Sequence, residues 1–320
     1  MMKPARTGPL LCLVAAYSLL SGCSPATDPV SYEDFIKAEG EGEFGIWVHS
    51  GFYNRTYFLH TPPDLNQAQS YPLLIFLHGA GGKGESFHAL LKADEATDAA
   101  GFITVYPDGM EGTWTVGCDD CTTAQALEAD DVTFLATLAR HLAEYLPVDT
   151  TRVHVMGFSQ GGSLAHLYGC ESTLAPAGIA AVASLLYRNV RARCAPASGF
   201  PVAIVHGTHD ALAYYSGYGL EAPFLSVPQG VDAWVEKMGC GTTPTEEELP
   251  DRAADWTTIT AFRYDGCTPG ASVLHLRVNG GGHTWPGDTG PWGNFVGPVS
   301  RDIDATQEIL DFFASVREGG

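Results

Sequence analysis

Positive charge is scarce in this 320-residue chain: 17 lysines and arginines stand against 37 aspartates and glutamates, a formal net charge of −20. Such a surface repels phosphate backbones, which excludes nucleic-acid binding and disfavours polyanionic substrates. Long apolar runs are missing too. Beyond the N-terminus no stretch reaches the ~18 apolar residues that a membrane-spanning helix needs. Internal repeats and low-complexity segments are absent. Zinc-binding spacing is lacking: Cys118-Asp-Asp-Cys121 has neither a second CxxC nor a nearby HxxxH, and it lacks the strand-then-helix setting of a redox motif. What remains, 45% hydrophobic and 17% charged residues, suits a globular protein.

The N-terminus reads as a targeting signal. Lys3 and Arg6 precede a short apolar stretch over residues 10–20, too short to cross a membrane and right for a signal sequence. The stretch ends in Leu20-Ser-Gly-Cys23, which resembles the bacterial lipobox. Cleavage after residue 22 would leave Cys23 to carry the lipid, and Ser24 behind it resembles an outer-membrane address. The expected organisation is a signal peptide over 1–22, a polar tether over 23–42 and a single folded domain over 43–320. The expected location is extracytoplasmic, at the outer membrane or cell surface, with the N-terminal lipid as the sole membrane contact. There disulfides are the ordinary fate of cysteine. Of eight cysteines, Cys12 leaves with the signal and Cys23 is acylated. The remaining six allow about 15 pairings, of which Cys118–Cys121, Cys170–Cys194 and Cys240–Cys267 is the preferred set.

Along the chain, alternating runs at 45–48 and 56–60 predict an antiparallel hairpin. A continuous apolar run over 71–77 reads as a buried strand, followed by the glycine-rich loop His78-Gly-Ala-Gly-Gly-Lys-Gly84. Strands are expected at 102–105, 151–156, 178–185, 201–206, 262–264 and 272–278. Helical periodicity predicts helices from 85, at 130–146, 163–170, 231–238 and 307–316. Strands alternating with helices imply an α/β fold whose mostly parallel central sheet is covered by helices on both faces.

Gly157-Phe-Ser159-Gln-Gly161 fits G-x-S-x-G and lies directly between a predicted strand and a predicted helix. Glycines two residues either side of the serine permit the tight turn, and the helix N-terminus favours negative charge beside the hydroxyl. Ser159 is therefore the candidate nucleophile. The base and its orienting acid should follow in the order acid, then histidine. His283, in Gly280-Gly-Gly-His-Thr-Trp-Pro-Gly287 after the last strand, is the candidate base. Asp210, in Gly207-Thr-His-Asp210 after another strand, is the candidate acid, with Glu221 and Asp232 as alternatives. His166 and His275, inside a helix and a strand, read as structural or surface residues. Oxyanion donors are expected from the backbone N–H of Gln160 and, in the loop after the early strand, of Ala80.

Together these residues resemble the polyhydroxybutyrate-depolymerase-like and feruloyl-esterase-like group of α/β-hydrolases, similar to carbohydrate esterase family 1. The resemblance runs from about residue 53 to 315. It rests on Phe76-Leu-His-Gly, Tyr106-Pro-Asp-Gly, Trp114, Asp130-Asp-Val, Val148-Asp-Thr-Thr-Arg-Val, Gly157-Phe-Ser-Gln-Gly-Gly, His206-Gly-Thr, Gly282-His-Thr-Trp-Pro-Gly and Asp304-Ala-Thr. It implies the α/β-hydrolase fold, a Ser159–Asp210–His283 triad, and neither metal nor cofactor. Gln160 stands where the family usually has Asn, Ala80 where it often has Cys, and His209 replaces a small residue beside the acid.

The expected reaction is two-step acyl transfer on an ester, with activity falling below about pH 6 because an imidazole base must be neutral. Trp114, Tyr215 and Trp285 are candidate aromatic walls for the substrate, and packing is their alternative role. The resemblance implies feruloyl or acetyl esters of plant polysaccharide, or alternatively 3-hydroxybutyrate oligo- or polyesters. A serine peptidase or a catalytically inactive binding protein on the same fold are the readings from other classes.

Overall fold

The computed structural model describes residues 40–48, 51–118, 121–219, 222–290 and 296–318. The signal sequence, Cys23, most of the tether and the alternative acid Glu221 lie outside these residues. Ten strands form one sheet: β1 (Gly40–Val48), β2 (Gly51–His60), β3 (Tyr71–Leu77), β4 (Ile103–Pro107), β5 (Val148–Phe158), β6 (Gly178–Val182), β7 (Pro201–Gly207), β8 (Thr245–Glu248), β9 (Thr258–Tyr264) and β10 (Ser272–Asn279). Their order across the sheet is β1-β2-β4-β3-β5-β6-β7-β10-β9-β8. The run from β4 to β10 is parallel, and antiparallel strands close both margins. The fold is that of an α/β-hydrolase. β1 starts at Gly40, so residues 40–42 belong to the sheet rather than to the expected tether.

Among the described residues eight helices accompany the sheet: α1 (Gly84–Leu91), α2 (Asp94–Ala99), α3 (Thr123–Ala126), α4 (Asp131–Tyr145), α5 (Gln160–Glu171), α6 (Arg188–Arg193), α7 (Val227–Lys237) and α8 (Ala305–Glu318). The period-2 alternation of strands divides the core in two. Leu73, Ile75 and Leu77 of β3 pack with Phe134 and Leu138 of α4, Leu164 of α5 and Trp234 of α7. Leu74 and Phe76, pointing the other way, pack with Phe87 of α1 and Ile309 and Phe312 of α8. α4, α7 and α8 each contribute one apolar stripe and leave their polar face to water, whereas α5 is buried from Gly161 to Cys170. Strand β8, Thr-Glu-Glu-Glu, is exposed throughout and has no apolar face for a sequence pattern to find. Its glutamates protect the open sheet edge from further pairing.

All three expected disulfides are present, Cys118–Cys121, Cys170–Cys194 and Cys240–Cys267. The latter two close loops of 24 and 27 residues, each worth about 3 kcal/mol through the entropy removed from the unfolded chain.

Of the six buried histidines among the described residues, three serve this frame. His166 Nδ1 accepts from Trp234 Nε1 at 2.9 Å. His275 sits between Ile204 O and the Tyr215 hydroxyl, and His154 packs against Phe102 and Phe313. Burial pushes His154 and His275 down to about 4 and His166 to about 3. Unfolding releases them to bind protons below about pH 6.5. Stability held above that pH is therefore lost as pH falls toward 4. We expect urea-unfolding free energy, with disulfides intact, to drop over this window by about 3 kcal/mol for each such histidine. A flat profile from pH 6.5 to 4.5 would contradict their neutral burial.

Candidate active site

The parallel register sets the site. Leu77 of β3 lies beside Gly157 of β5, Phe158 beside Val182 of β6, Val182 beside Val205 of β7, and Gly207 beside Val278 of β10. The strands therefore end nearly level, and the segments leaving them share one rim. His78 follows Leu77, Ser159 follows β5, Asp210 follows β7, and His283 follows β10.

Ser159 sits on the turn between β5 and α5 at φ 53°, ψ −119°, a conformation that L residues adopt at a cost of about 1–3 kcal/mol. The surrounding packing imposes it. A Cβ on Gly157 would lie 2.2 Å from the backbone of Gly161, and a Cβ on Gly161 would lie 2.3 Å from Leu77 O. Only glycine lets the first turn of α5 come this close to β3 and β5. Ser159 N donates to Val182 O at 2.9 Å, fixing the turn against β6. Although Ser159 holds the N-cap position of α5, its side chain makes no capping bond. The hydroxyl stays half-exposed beside the positive end of the helix dipole.

Asp210 and His283 are buried, at 3% and 5% exposure. His283 Nδ1 donates to Asp210 Oδ2 at 2.8 Å, leaving Nε2 as the ring nitrogen able to take a proton. Asp210 Oδ1 accepts from the backbone N–H groups of Leu212 and Ala213 at 2.9 and 2.7 Å. A second imidazole also reaches the carboxylate: His206 Nε2 lies 3.2 Å from Oδ2 and 2.7 Å from Ala213 O. Burial alone would raise the Asp210 carboxyl. The hydrogen bonds from His206 and His283 outweigh it and hold the group below the ordinary carboxylate range. The His283 ring lies 5.0 Å from that of Phe158, next to the serine turn. Asp232, the alternative acid inside the described residues, is exposed on α7.

The loop after β3 folds over the serine: a Cβ on Gly79 would come within 3.4 Å of Ser159 Cβ. Ala80 is exposed, and its N–H meets no acceptor among the described residues. Gln160 opens α5, where the first N–H groups have no intrahelical partner. Both backbone donors thus stand at the serine's end of the sheet. The loop is held by side chains for which the sequence had not indicated this role. His78 Nδ1 donates to Gly79 O at 2.7 Å and Nε2 accepts from Gly109 N at 2.9 Å; burial depresses its pKa and keeps this neutral tautomer. Trp114 Nε1 donates to His78 O, and Gln160 Oε1 accepts from Trp114 N, both at 2.9 Å. Beneath them Arg55 Nη1 pairs with buried Asp131 Oδ1 at 2.9 Å, and Asp131 Oδ2 accepts from Thr115 N.

The aromatic expectations are corrected here. Trp114 is fully buried as the brace just described, and Trp285, 2% exposed, packs on Phe76 and Phe87. Neither is a cleft wall. Tyr215 is half-buried and commits its hydroxyl to His275 Nε2 at 2.9 Å. The exposed aromatics are others: Tyr214 and Tyr218 on the loop after Asp210, their rings 4.7 Å apart, and Trp256, which is 95% exposed. Trp256 precedes β9 on the same rim and holds φ 68°, an outlier for a bulky residue. Asp255 bonds the N–H groups of Thr257 and Arg301, and Asp302 those of Arg252 and Ala253. Nothing in the spacing marked these residues.

With this geometry in place, similarity becomes informative. The sequence profile of the phospholipase/carboxylesterase family matches residues 65–226, half of the chain. The chain belongs to this family. It is a carboxylic ester hydrolase. The match includes Ser159 and Asp210 and stops before His283. NocK of Nocardia uniformis subsp. tsuyamanensis, an esterase by name, is 29% identical over 81% of this chain and 78% of its own length. Feruloyl esterase B of Piromyces equi is 27% identical over 72% of this chain, which spans only 42% of that protein. Acetyl xylan esterase from Aspergillus awamori shares the fold at a TM-score of 0.57 and 14% identity, over 85% of this chain and 99% of its own.

The close approach at the serine turn is testable by itself. Gly161→Ala is expected to lower unfolding free energy by about 1–3 kcal/mol or more through overpacking, read by urea denaturation. Unchanged stability would mean that α5 does not press on β3.

Proposed function

We propose that this hydrolase is a serine esterase acting on feruloyl or acetyl esters of plant polysaccharide. The observation that carries the mechanism is the hydrogen bond from His283 Nδ1 to Asp210 on the rim where the strained Ser159 turn emerges. His283 Nε2 takes the proton of Ser159 as its Oγ attacks the ester carbonyl carbon. The carbonyl π pair moves to oxygen, which the N–H groups of Ala80 and Gln160 stabilise; losing one such donor costs about 3 kcal/mol in the barrier. Collapse expels the alcohol with the proton from His283, and water repeats the sequence to free the acid. Asp210 holds the ring and stabilises its charged form.

The substrate class is supported by the relatives named feruloyl esterase and by the exposed aromatics. Trp256 lies on the rim beyond His283. From β5 to β9 the sheet crosses four strand spacings, roughly 19 Å, a distance that suits a polymer lying across the rim. A rigidly built, fully exposed indole held at a strained backbone angle suits stacking on a sugar ring. The location proposed is extracytoplasmic, with a lipid on Cys23; the three disulfides support an oxidising compartment.

Hydrolysis of methyl ferulate, acetylated xylan and a 3-hydroxybutyrate trimer, each with a Ser159→Ala control, tests this reading. Ferulate or acetate release that disappears in the variant is expected. Cleavage of the trimer alone would instead favour the polyester reading, and full activity in the variant would remove Ser159 as nucleophile. Asp210→Asn should lower kcat by about 10⁴-fold with little change in KM. Trp256→Ala should raise KM several-fold on feruloylated polysaccharide and leave methyl ferulate unchanged. Equal KM values on the polymer would exclude a stacking role.

A further inference from the structure

On the flank of the sheet, away from the rim, two imidazoles and two carboxylates converge from three elements. His60 ends β2, His88 lies in α1, and Asp94 and Asp98 lie in α2. His88 Nε2 is 2.9 and 3.0 Å from the two oxygens of Asp94. His60 Nδ1 is 4.0 Å from Asp94 Oδ2. One donor atom from each of His60, His88 and Asp94 falls within 4.8 Å of the others. The rings are partly ordered: that of His88 stacks on Phe58 at 4.3 Å and lies 6.1 Å from that of His60.

We propose that His60 Nδ1, His88 Nε2 and Asp94 form a binding site for a zinc-like divalent cation that pins the α1–α2 pair to β2. A tetrahedral ion with ligands at about 2.0–2.1 Å spaces those ligands roughly 3.3 Å apart. The observed separations bracket that value, so the ion fits with small side-chain rotations and takes water as its remaining ligand. Two imidazole nitrogens and one carboxylate select a borderline transition ion over calcium or magnesium, which prefer all-oxygen sites. The outer ring of contacts has the form that such ions use. His60 Nε2 lies 2.9 Å from Asp98 Oδ1, so the nitrogen facing away from the site donates to a carboxylate. That bond fixes the tautomer with Nδ1 free to coordinate. The ion adds a tie beyond the ion pairs at this corner, where among the described residues no disulfide lies. α1 begins at Gly84, at the end of the loop that covers Ser159.

The test uses the full chain stripped of metal and titrated with zinc chloride, followed by calorimetry and by metal analysis after dialysis. Expected are one zinc ion per chain above any bound by His60→Gln/His88→Gln, and a rise in Tm confined to the wild type. Glutamine keeps a polar group at each position but is a poor zinc ligand. The variant's small-ester turnover and metal-free Tm check that it folds. Asp98→Asn should weaken zinc binding by about tenfold or more, as loss of an outer-ring carboxylate does. Cobalt in place of zinc should give the intense visible bands of a tetrahedral ion in the wild type only. Equal zinc binding by wild type and the double variant, or no binding by either, would overturn the proposal and leave His60–Asp98 and His88–Asp94 as simple ion pairs.

Discussion

The architecture of the site depends on one close contact, the approach of the first turn of α5 to the ends of β3 and β5. That approach exists because Gly157 and Gly161 face each other without side chains. It forces Ser159 into a left-handed backbone, and the same strain lifts its side chain clear of the helix it would otherwise cap. The parallel strands on either side make the strain affordable. Their core residues are almost completely buried, and relaxing the turn would mean pulling α5 away from both. A local conformational cost of about 1–3 kcal/mol is thus fixed by a packing arrangement whose disruption costs more.

A second layer of polar contacts translates this turn into a site. The loop after β3 must present an unpaired N–H at Ala80, and glycine-rich backbone left alone would sample many conformations. It is held by His78 and Trp114, which are buried, and by the side chain of Gln160, which belongs to the serine turn itself. The residue whose N–H is the proposed oxyanion donor therefore also uses its side chain to fix the loop that carries the other proposed donor. Asparagine at this position, one methylene shorter, would reach Trp114 N less easily, so the Gln160 departure and the local loop geometry belong together. The buried Arg55–Asp131 pair extends the scaffold to β2 and α4. Such pairs add little net stability, but losing one partner leaves a buried charge and costs about 3–5 kcal/mol. Its contribution here is to specify geometry.

What was readable in the sequence was local. G-x-S-x-G between a strand and a helix, the histidine after Gly280-Gly-Gly, and the aspartate after β7 are short-range patterns whose physical requirements lie within a few residues. The continuous apolar run of β3 likewise announced burial on both faces. What was not readable depended on which way a large side chain turns. Trp114 and Trp285 carry the same side chain as Trp256, yet two are in the core and one is in solvent. Only the tertiary path of the loops decides this. His206 ends the strand predicted over 201–206, and its hydrogen bond to Asp210 becomes visible only when β7 and its following turn are built. The four residues on the β2, α1 and α2 flank escaped notice for a related reason. Zinc spacing motifs describe ligands close in sequence, whereas these meet through the sheet.

The same reasoning explains why concavity alone misplaces the chemistry in this fold. A groove of about 750 Å³ opens at the opposite end of the strands, lined by Tyr71, Phe102, His154, Phe313 and Arg317 among others. The starts of β3, β5 and β7 meet there beside α8, but no strained serine turn and no hydrogen-bonded carboxylate–imidazole pair faces it. The ends of parallel strands are chemically unequal. At the C-terminal ends the chain turns into helix N-termini, which bring free N–H groups and a positive dipole end. An oxyanion needs both. The polarity of six parallel strands thus selects the rim that Ser159, Asp210 and His283 share, and the loops there had only to supply side chains of the right kind.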